Sequence, residues 1–195
     1  MTIGRPLQFD PDQALDTAMR LFWRKGYEST SLQDLLNATG LSKSSFYQAF
    51  KSKSRLFQRA IQHYKERLTD DLRAQRRQAG SGRAFIEALF RDVADETSGP
   101  DSRRGCLLMN TANEFAQSDA DIARLVSNSL DRIVVIFEEA IRQAQSEGTI
   151  DQNKDARALA VYLLSNMSGL KSMVKAGADR ATIEGIVDIT LSALD

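Results

Sequence analysis

Polar side chains cluster between Thr30 and Lys53 of this 195-residue sequence. Phe46 and Phe50 are spaced four apart, so a helix at this point would turn both rings inward and its polar residues outward. Ammonium, hydroxyl and amide groups in such a row are the kind that bind the phosphates and base edges of DNA. We predict base-edge contacts from Lys43, Ser44 and Gln48, and phosphate contacts from Thr30, Ser45, Tyr47 and Lys53. For the hydroxyl groups in this set, helix capping is the alternative role.

A second polar set falls on one stripe of a later predicted helix: Cys106, Asn110, Asn113 and Gln117, at i, i+4, i+7 and i+11. Lining a pocket, this stripe would offer hydrogen bonds to a ligand. Buried elsewhere it would need partners, and facing water it would have no role. Further predicted effector-pocket residues are Met109, Phe137, Tyr162 and Asn166.

Cys106 has two open interpretations. Next to Arg103 and Arg104 at a helix start, its thiolate would be stabilised, which suits a sensor thiol. A free cysteine is also commonly a small buried hydrophobe without reactivity. Lys171 and Lys175, one turn apart, could approach Cys106 or an anionic effector, or could simply reach solvent.

Short helices with clear start and stop signals must position the first polar set. Asp10-Pro11-Asp12 begins a helix that Gly26 ends, near residues 11–25. Ser31 with Asp34 forms a capping-box pattern, and Thr39-Gly40-Leu41 separates that helix from one beginning at Ser42. Two such helices with a short glycine-containing turn predict a helix-turn-helix, whose core the helix at 11–25 completes.

The rest of the chain indicates helices near 52–77, 83–97, 105–117, 120–147, 155–176 and 180–193, so we expect an all-α fold of about nine helices. The predicted domains are residues 1–51 for DNA binding and 52–195 for effector binding and dimerisation, with 52–77 connecting the two. The segment 158–170 is apolar nearly all round, which predicts burial both in its own core and against a second copy. A purely central core helix is the alternative.

Charge is divided unevenly although the net charge is zero. Residues 1–65 carry 10 Lys and Arg against 5 Asp and Glu, which fits a nucleic-acid-binding module on an acidic body. Gly4-Arg5-Pro6 could extend Arg5 into a minor groove, or make no contact.

The chain has no run of 18 apolar residues, no apolar N-terminal segment and one cysteine, so we expect a cytoplasmic protein without a membrane partner.

Residues 27–57 read YESTSLQDLLNATGLSKSSFYQAFKSKSRLF, and their joint spacing resembles the TetR/AcrR family of bacterial transcriptional regulators. The likeness covers residues 9–60. It implies an all-α homodimer with a three-helix DNA-binding head and a ligand-binding body, which represses transcription and releases DNA when an effector binds. Ser44 replaces a frequent glycine, and Gln48-Ala49 replaces a frequent His-Tyr, so no operator sequence transfers.

The Gly-Cys-Leu stretch at Cys106, followed by Asn110 to Glu114, resembles one subgroup of that family. Some of its members respond to quinones, electrophiles or oxidants through that cysteine, so the resemblance implies a small-molecule or thiol-reactive effector.

The sequence therefore predicts a DNA-binding transcriptional regulator, with a helical protein-interaction adaptor as the alternative. No cofactor or metal is expected, since His63 and Cys106 are the only residues of their types and cannot build a structural zinc site from the usual ligands. GxSxG, Walker, dinucleotide-binding and HExxH motifs are absent from the sequence, so we do not expect an enzyme. The expected partners are operator DNA, a second copy of the chain and an unidentified effector.

Overall fold

The structure, a computed structural model, describes residues 10–98, 104–115 and 119–195. Within these ranges the chain forms α-helices, one short 3-10 turn at Glu96–Ser98 and no strand. The helices are α1 (Pro11–Lys25), α2 (Leu32–Thr39), α3 (Lys43–Phe50), α4 (Lys53–Ala79), α5 (Gly82–Asp95), α6 (Leu107–Phe115), α7 (Ala120–Ser146), α8 (Ala156–Ala176) and α9 (Arg180–Ser192). The all-α prediction is confirmed. Predictions for Arg5, Arg103 and Gln117 lie outside the described residues.

Side-chain caps fix the starts of the head helices. Asp10 accepts hydrogen bonds from the Asp12 and Gln13 amides at the start of α1. Ser31 and Asp34 form both bonds of a capping box at α2, and the Ser42 hydroxyl accepts from the Ser45 amide at α3. Each cap satisfies amides that have no partner inside their own helix, so the short helices begin where the sequence predicts.

Aromatic rings hold the head together and join it to α4. Phe46 and Phe50 are fully buried, as predicted from their spacing. Phe22 of α1 meets Phe57 of α4 edge-on, with 4.9 Å between ring centroids. The first turns of α4 therefore belong to the core of the head, and the rest of this 27-residue helix runs into the body. The proposed domain division at residues 51 and 52 remains a prediction.

The body packs α5 and α8 against α7. Gly82 permits the close approach of α5, because a Cβ there would lie 2.0 Å from the Ala140 carbonyl oxygen. On α8, Leu163, Leu170 and Val174 pack inward, while Val161 is 50% exposed in the protomer. One face of α8 is thus buried in the core of its own chain, and the packing of another face against a second copy stays a prediction. Among the described residues, no helix is long and apolar enough to cross a membrane.

Candidate DNA-binding and effector sites

Helix α3 presents a polar surface to solvent. Lys43, Ser44, Tyr47 and Gln48 are exposed, opposite the buried Phe46. The Tyr47 ring stands at 90° to that of Phe46, with 5.5 Å between centroids, so packing restrains it although it is 43% exposed. The exposed side is thus composed of an ammonium, a hydroxyl, a phenol and an amide on a restrained helix, the groups that base edges and phosphates can bind.

Two of the predicted phosphate contacts are partly engaged within the protein. Ser45 is half-buried, and its hydroxyl lies 2.9 Å from that of Ser42. Thr30 is fully buried, and its hydroxyl donates to the Gly26 carbonyl at 2.6 Å. The structure therefore places Thr30 inside the turn after α1, where its side chain cannot reach a phosphate without breaking that bond.

Lys53 begins α4, and its ammonium lies 4.1 Å from the centre of the Tyr27 ring. Tyr27 in turn packs on Phe57 and Phe115, with centroids 4.8 and 5.2 Å away. Burial, with the nearby charge of Glu28, raises the pKa of Tyr27, so the phenol stays neutral beside the ammonium. Lys53 is thereby held at the edge of the head.

Arg59 was not predicted as a site residue, yet it links α4 to the end of α3. Its guanidinium donates to the Ala49 carbonyl at 3.3 Å and lies 5.0 Å from the Phe50 ring centre. Carbonyls at a helix end are unpaired within the helix, so an arginine from a neighbouring helix is a suitable partner. No short-range sequence pattern indicates this contact, because the residues are ten positions apart.

A cavity of about 610 Å³ lies in the body and is bordered on one side by helix α1 of the head. Its wall is mostly apolar and aromatic, with charged groups among the lining residues. Helices α1, α4, α5, α7 and α8, the turn at Glu96 and the segment before α6 contribute to it: Met19, Arg20, Trp23, Tyr64, Arg67, Leu68, Asp71, Leu72, Gln75, Leu89, Asp92, Glu96, Arg104, Gly105, Cys106, Leu130, Ile133, Phe137, Leu164, Met167, Ser168 and Lys171. Volume and lining suit a small, largely apolar molecule.

Of the predicted effector residues, Cys106 and Phe137 line this cavity, and the other five do not. Helix α6 turns Leu108, Thr111 and Phe115 into the core, which directs its polar stripe elsewhere. Asn113 is exposed. Asn110 donates to the Arg104 carbonyl at 2.8 Å, and accepts from Lys175 at 2.8 Å.

Two further predicted pocket residues are engaged with each other on α8. The side-chain amide of Asn166 donates a hydrogen bond to the backbone carbonyl of Tyr162, one turn earlier on α8, at 2.9 Å. Met109 and Tyr162 are half-buried outside the cavity wall. These side chains do not line the cavity described above, and their predicted contact with an effector stays a prediction.

Cys106 has a hydroxyl neighbour that the sequence did not reveal. Tyr64 of α4 donates from its phenol to the Cys106 sulfur, with 3.9 Å between oxygen and sulfur. Burial and the adjacent Cys106 sulfur raise the pKa of Tyr64 well above its usual value, so the phenol keeps its proton and remains a donor. Tyr64 also shares one face of α4 with Leu68 and Leu72. A tyrosine hydroxyl on such an apolar face needs a hydrogen-bond partner, and this need is the sequence signal that could have indicated a contact for Tyr64.

Ion pairs border the cavity. Asp16 of α1 pairs with Arg20 at 2.8 Å and with Arg67 of α4. Burial acts to raise the pKa of Asp16, but the Arg20 hydrogen bond and the charges of Arg20 and Arg67 lower it overall. Lys171 pairs with Glu96, and both residues line the cavity. Lys171 therefore lines the cavity, whereas Lys175 is engaged with the α6 side chain described above.

Two contacts join α6 to the head. The Trp23 indole donates to the Gly105 carbonyl at 3.1 Å, just before α6 begins. Near the end of α6, the Glu114 carboxylate accepts from the Tyr27 amide at 3.1 Å and from the Glu28 amide at 2.8 Å. The sequence indicates Glu114 only as part of the subgroup motif. Its contacts with Tyr27 and Glu28 leave no local sequence pattern, because these partners are 86 or more residues away.

A basic three-helix head with an exposed polar helix defines the class of a helix-turn-helix DNA-binding protein. Residues 14–60 match the family described as bacterial regulatory proteins, tetR family, and residues 82–189 match the tetracyclin repressor-like C-terminal domain. The chain belongs to the TetR family of helix-turn-helix transcriptional regulators, and a helical adaptor is not favoured.

Relatives with similar length support this assignment. The chain is 29% identical to the uncharacterized HTH-type transcriptional regulator YezE of Bacillus subtilis (strain 168), covering 99% of this chain and 100% of that one. It is 31% identical to the HTH-type transcriptional repressor ComR of Escherichia coli (strain K12), covering 96% and 90%. A cysteine mutant of the TetR family regulator CifR on 26-base-pair operator DNA is 29% identical, with a TM-score of 0.86 over 98% of this chain and 100% of that one.

Proposed function

We propose that this regulator is a homodimeric repressor that releases its operator when a small molecule enters the cavity and reacts with, or packs against, Cys106. The observation that carries the proposal is the position of this sulfur. It lies on the wall of a 610 Å³ cavity that also includes Trp23 of the head. An occupant of the cavity therefore contacts both the body and the helix that supports the DNA-binding elements.

DNA binding through α3 has support from the exposed polar face and from the similar regulator CifR, a mutant of which has been solved in complex with operator DNA. We assign base edges to Lys43, Ser44 and Gln48, and phosphates to Ser45, Tyr47 and Lys53. Gln48 has the bidentate geometry that suits adenine. Because a bacterial regulator of this kind acts on DNA, we propose that the protein works in the cytoplasm. We expect it to bind its partners rather than to catalyse a reaction.

Dimerisation has support from the outer faces of α8 and α9. Val161 and Ile189 are 50% and 71% exposed in the protomer, so each leaves an aliphatic surface that a second copy could cover. Gly169 and Gly185 have open space around their α-carbons. Small residues beside exposed aliphatic ones allow a second pair of helices to approach closely, so we propose that these faces pack against a second copy.

The effector chemistry that fits this wall is an apolar, ring-containing electrophile such as a quinone. The Cys106 thiolate would add to a ring carbon, forming a carbon–sulfur bond, and one quinone oxygen would take up a proton from water. The C–H bond of the attacked carbon would then break and its proton would pass to the other oxygen, which gives a hydroquinone thioether with no external oxidant or reductant. Tyr64 would hold the sulfur in place during this step. Aromatic and aliphatic lining residues would bind the ring.

The test is operator release by 1,4-benzoquinone, with the operator first selected by the wild-type protein from random duplexes. We expect quinone to release the wild-type protein and to add one adduct mass, and Cys106→Ser to stay bound. Hydroquinone, handled without oxygen, is the matched probe because it has the same shape without the electrophilic carbon. Equal release of Cys106→Ser by quinone would remove the thiol hypothesis and leave reversible binding in the cavity.

Sequence-specific binding itself is tested by gel retardation at low and high salt. We expect retention of the selected duplex that weakens steeply as salt rises, because phosphate contacts release counterions. Failure to retard any duplex would contradict DNA binding and favour the adaptor.

A further inference from the structure

Glu114 forms a long-range contact that the DNA-binding and effector sites do not use. One carboxylate oxygen accepts from the Tyr27 amide at 3.1 Å, and the other accepts from the Glu28 amide at 2.8 Å. These successive amides lie in the turn that leads from α1 into α2. Hydrogen bonds from amides to a carboxylate are stronger than those between neutral groups, so this pair is a firm link between body and head.

The turn that Glu114 holds is also the support of a predicted phosphate contact. Tyr27 carries the Lys53 ammonium over its ring at 4.1 Å. Phe115, the residue after Glu114, lies 5.2 Å from the same ring. The end of α6 therefore fixes the turn through its backbone and through its aromatic side chain together.

The beginning of α6 is fixed to the head as well, through the Trp23 indole and the Gly105 carbonyl, 3.1 Å apart. Helix α6 has nine residues, so its two attachments are separated by roughly 13 Å at 1.5 Å per residue. Together with α4, which runs from the head into the body, two attachments at this separation restrain the head against tilting.

We propose that Glu114 is a positioning residue for operator recognition, which orients the head on the body through the Tyr27 and Glu28 amides. In the proposed dimer, two α3 helices must read half-sites about 34 Å apart, so a tilt of either head misplaces one of them. The inference rests on the proposed dimeric DNA binding.

The experiment compares two duplexes, the full selected operator and a duplex with one half-site. We expect Glu114→Ala to weaken full-operator binding about tenfold, because two charge-assisted hydrogen bonds are lost. Half-site binding should stay within about twofold of wild type, since one head binds alone and its own fold is intact. Glu114→Gln keeps one acceptor oxygen, so it should give an intermediate loss on the full operator.

Glu28→Gln is the matched control. It removes one negative charge from the same turn but keeps the Glu28 amide that Glu114 binds, and its side chain is exposed. We expect this variant not to weaken the full operator. Circular dichroism and the unfolding midpoint should be compared for all variants, and Glu114→Gln carries the test if Glu114→Ala does not fold.

Three results would overturn the inference. One is wild-type affinity of Glu114→Ala for the full operator. Another is an equal loss on both duplexes, which would indicate damage to the head itself. The third is failure of the wild-type protein to bind any duplex, which would also remove the proposed function, so the two failures are distinguishable.

Discussion

Asp34 shows how one side chain secures the start of the helix-turn-helix. Its carboxylate accepts from the Ser31 amide and hydroxyl at 2.9 and 2.8 Å, and it pairs with Lys25 of α1 at 3.0 Å. The Ser31 amide bond, then the Lys25 and Ser31 side chains, lower the pKa of Asp34 from 3.8 to about 2. The charged form of Asp34 is thus the one that the folded head prefers.

The stability of the head should therefore depend on pH in the acid range. Because the folded pKa lies below the unfolded one, the contribution of Asp34 is complete above pH about 4 and is lost as pH falls towards 2. We expect Asp34→Asn to lower the unfolding temperature at pH 6, and the difference from wild type to shrink by pH 2. An NMR titration of the Asp34 carboxyl carbon with a midpoint near its usual 3.8 would contradict this explanation.

Residue contacts differ in how far the sequence can anticipate them. The Ser31–Asp34 box and the Asp10 and Ser42 caps join residues two or three positions apart, so their patterns are visible in the sequence. The Tyr64–Cys106 contact spans 42 positions and follows from how α4 packs against the segment before α6. Such a contact requires the tertiary arrangement, and local spacing does not contain it.

At the scale of elements, α3 and the start of α4 have different predicted roles, which can be separated by affinity and salt dependence. Gln48→Ala should weaken binding to the selected operator about tenfold and relax the preference at one base pair, with no change on unrelated DNA. Lys53→Gln should weaken all duplexes alike and reduce the salt slope by about one.

The exposed Gln78 near the end of α4 provides the control, since Gln78→Ala changes the same side chain outside the head. It should match wild type on both duplexes. A uniform loss from Gln48→Ala across all DNA sequences would instead assign Gln48 to the phosphates.

Helix periodicity gave the correct elements, but it did not determine which face of α6 borders the cavity. Spacing at i, i+4 and i+7 predicts Cys106, Asn110 and Asn113 along one helix stripe, but Cys106 lies before α6, which begins at Leu107. In the structure the inward side of α6 carries Leu108 and Phe115, and the cavity is reached only by the segment before the helix. Periodicity shows which residues share a face, whereas the packing of several helices decides what that face contacts.

For the whole molecule, the unequal distribution of charge directs how DNA approaches. Residues 1–65 have an excess of 5 positive charges, and the remainder has an equal negative excess. A duplex is attracted to the head and repelled by the body, which favours productive encounters at low salt. The basic segment coincides with the helix-turn-helix, so charge and exposed polar surface identify the same end of the protein.

The assembly of the whole molecule can be tested at α9, where Ile189 is 71% exposed in the protomer. Ile189→Glu adds a charge that water solvates in a monomer but that a packed interface would bury, at a large cost in free energy. We therefore expect this variant to remain folded, to shift from a dimer to the 21.7 kDa protomer in light scattering, and to lose operator affinity.

Gln78→Glu adds the same charge on an exposed part of α4 and should remain dimeric. A dimer of unchanged mass for Ile189→Glu would place the interface on another surface, since a glutamate at the centre of packed helices could not be accommodated without weakening them.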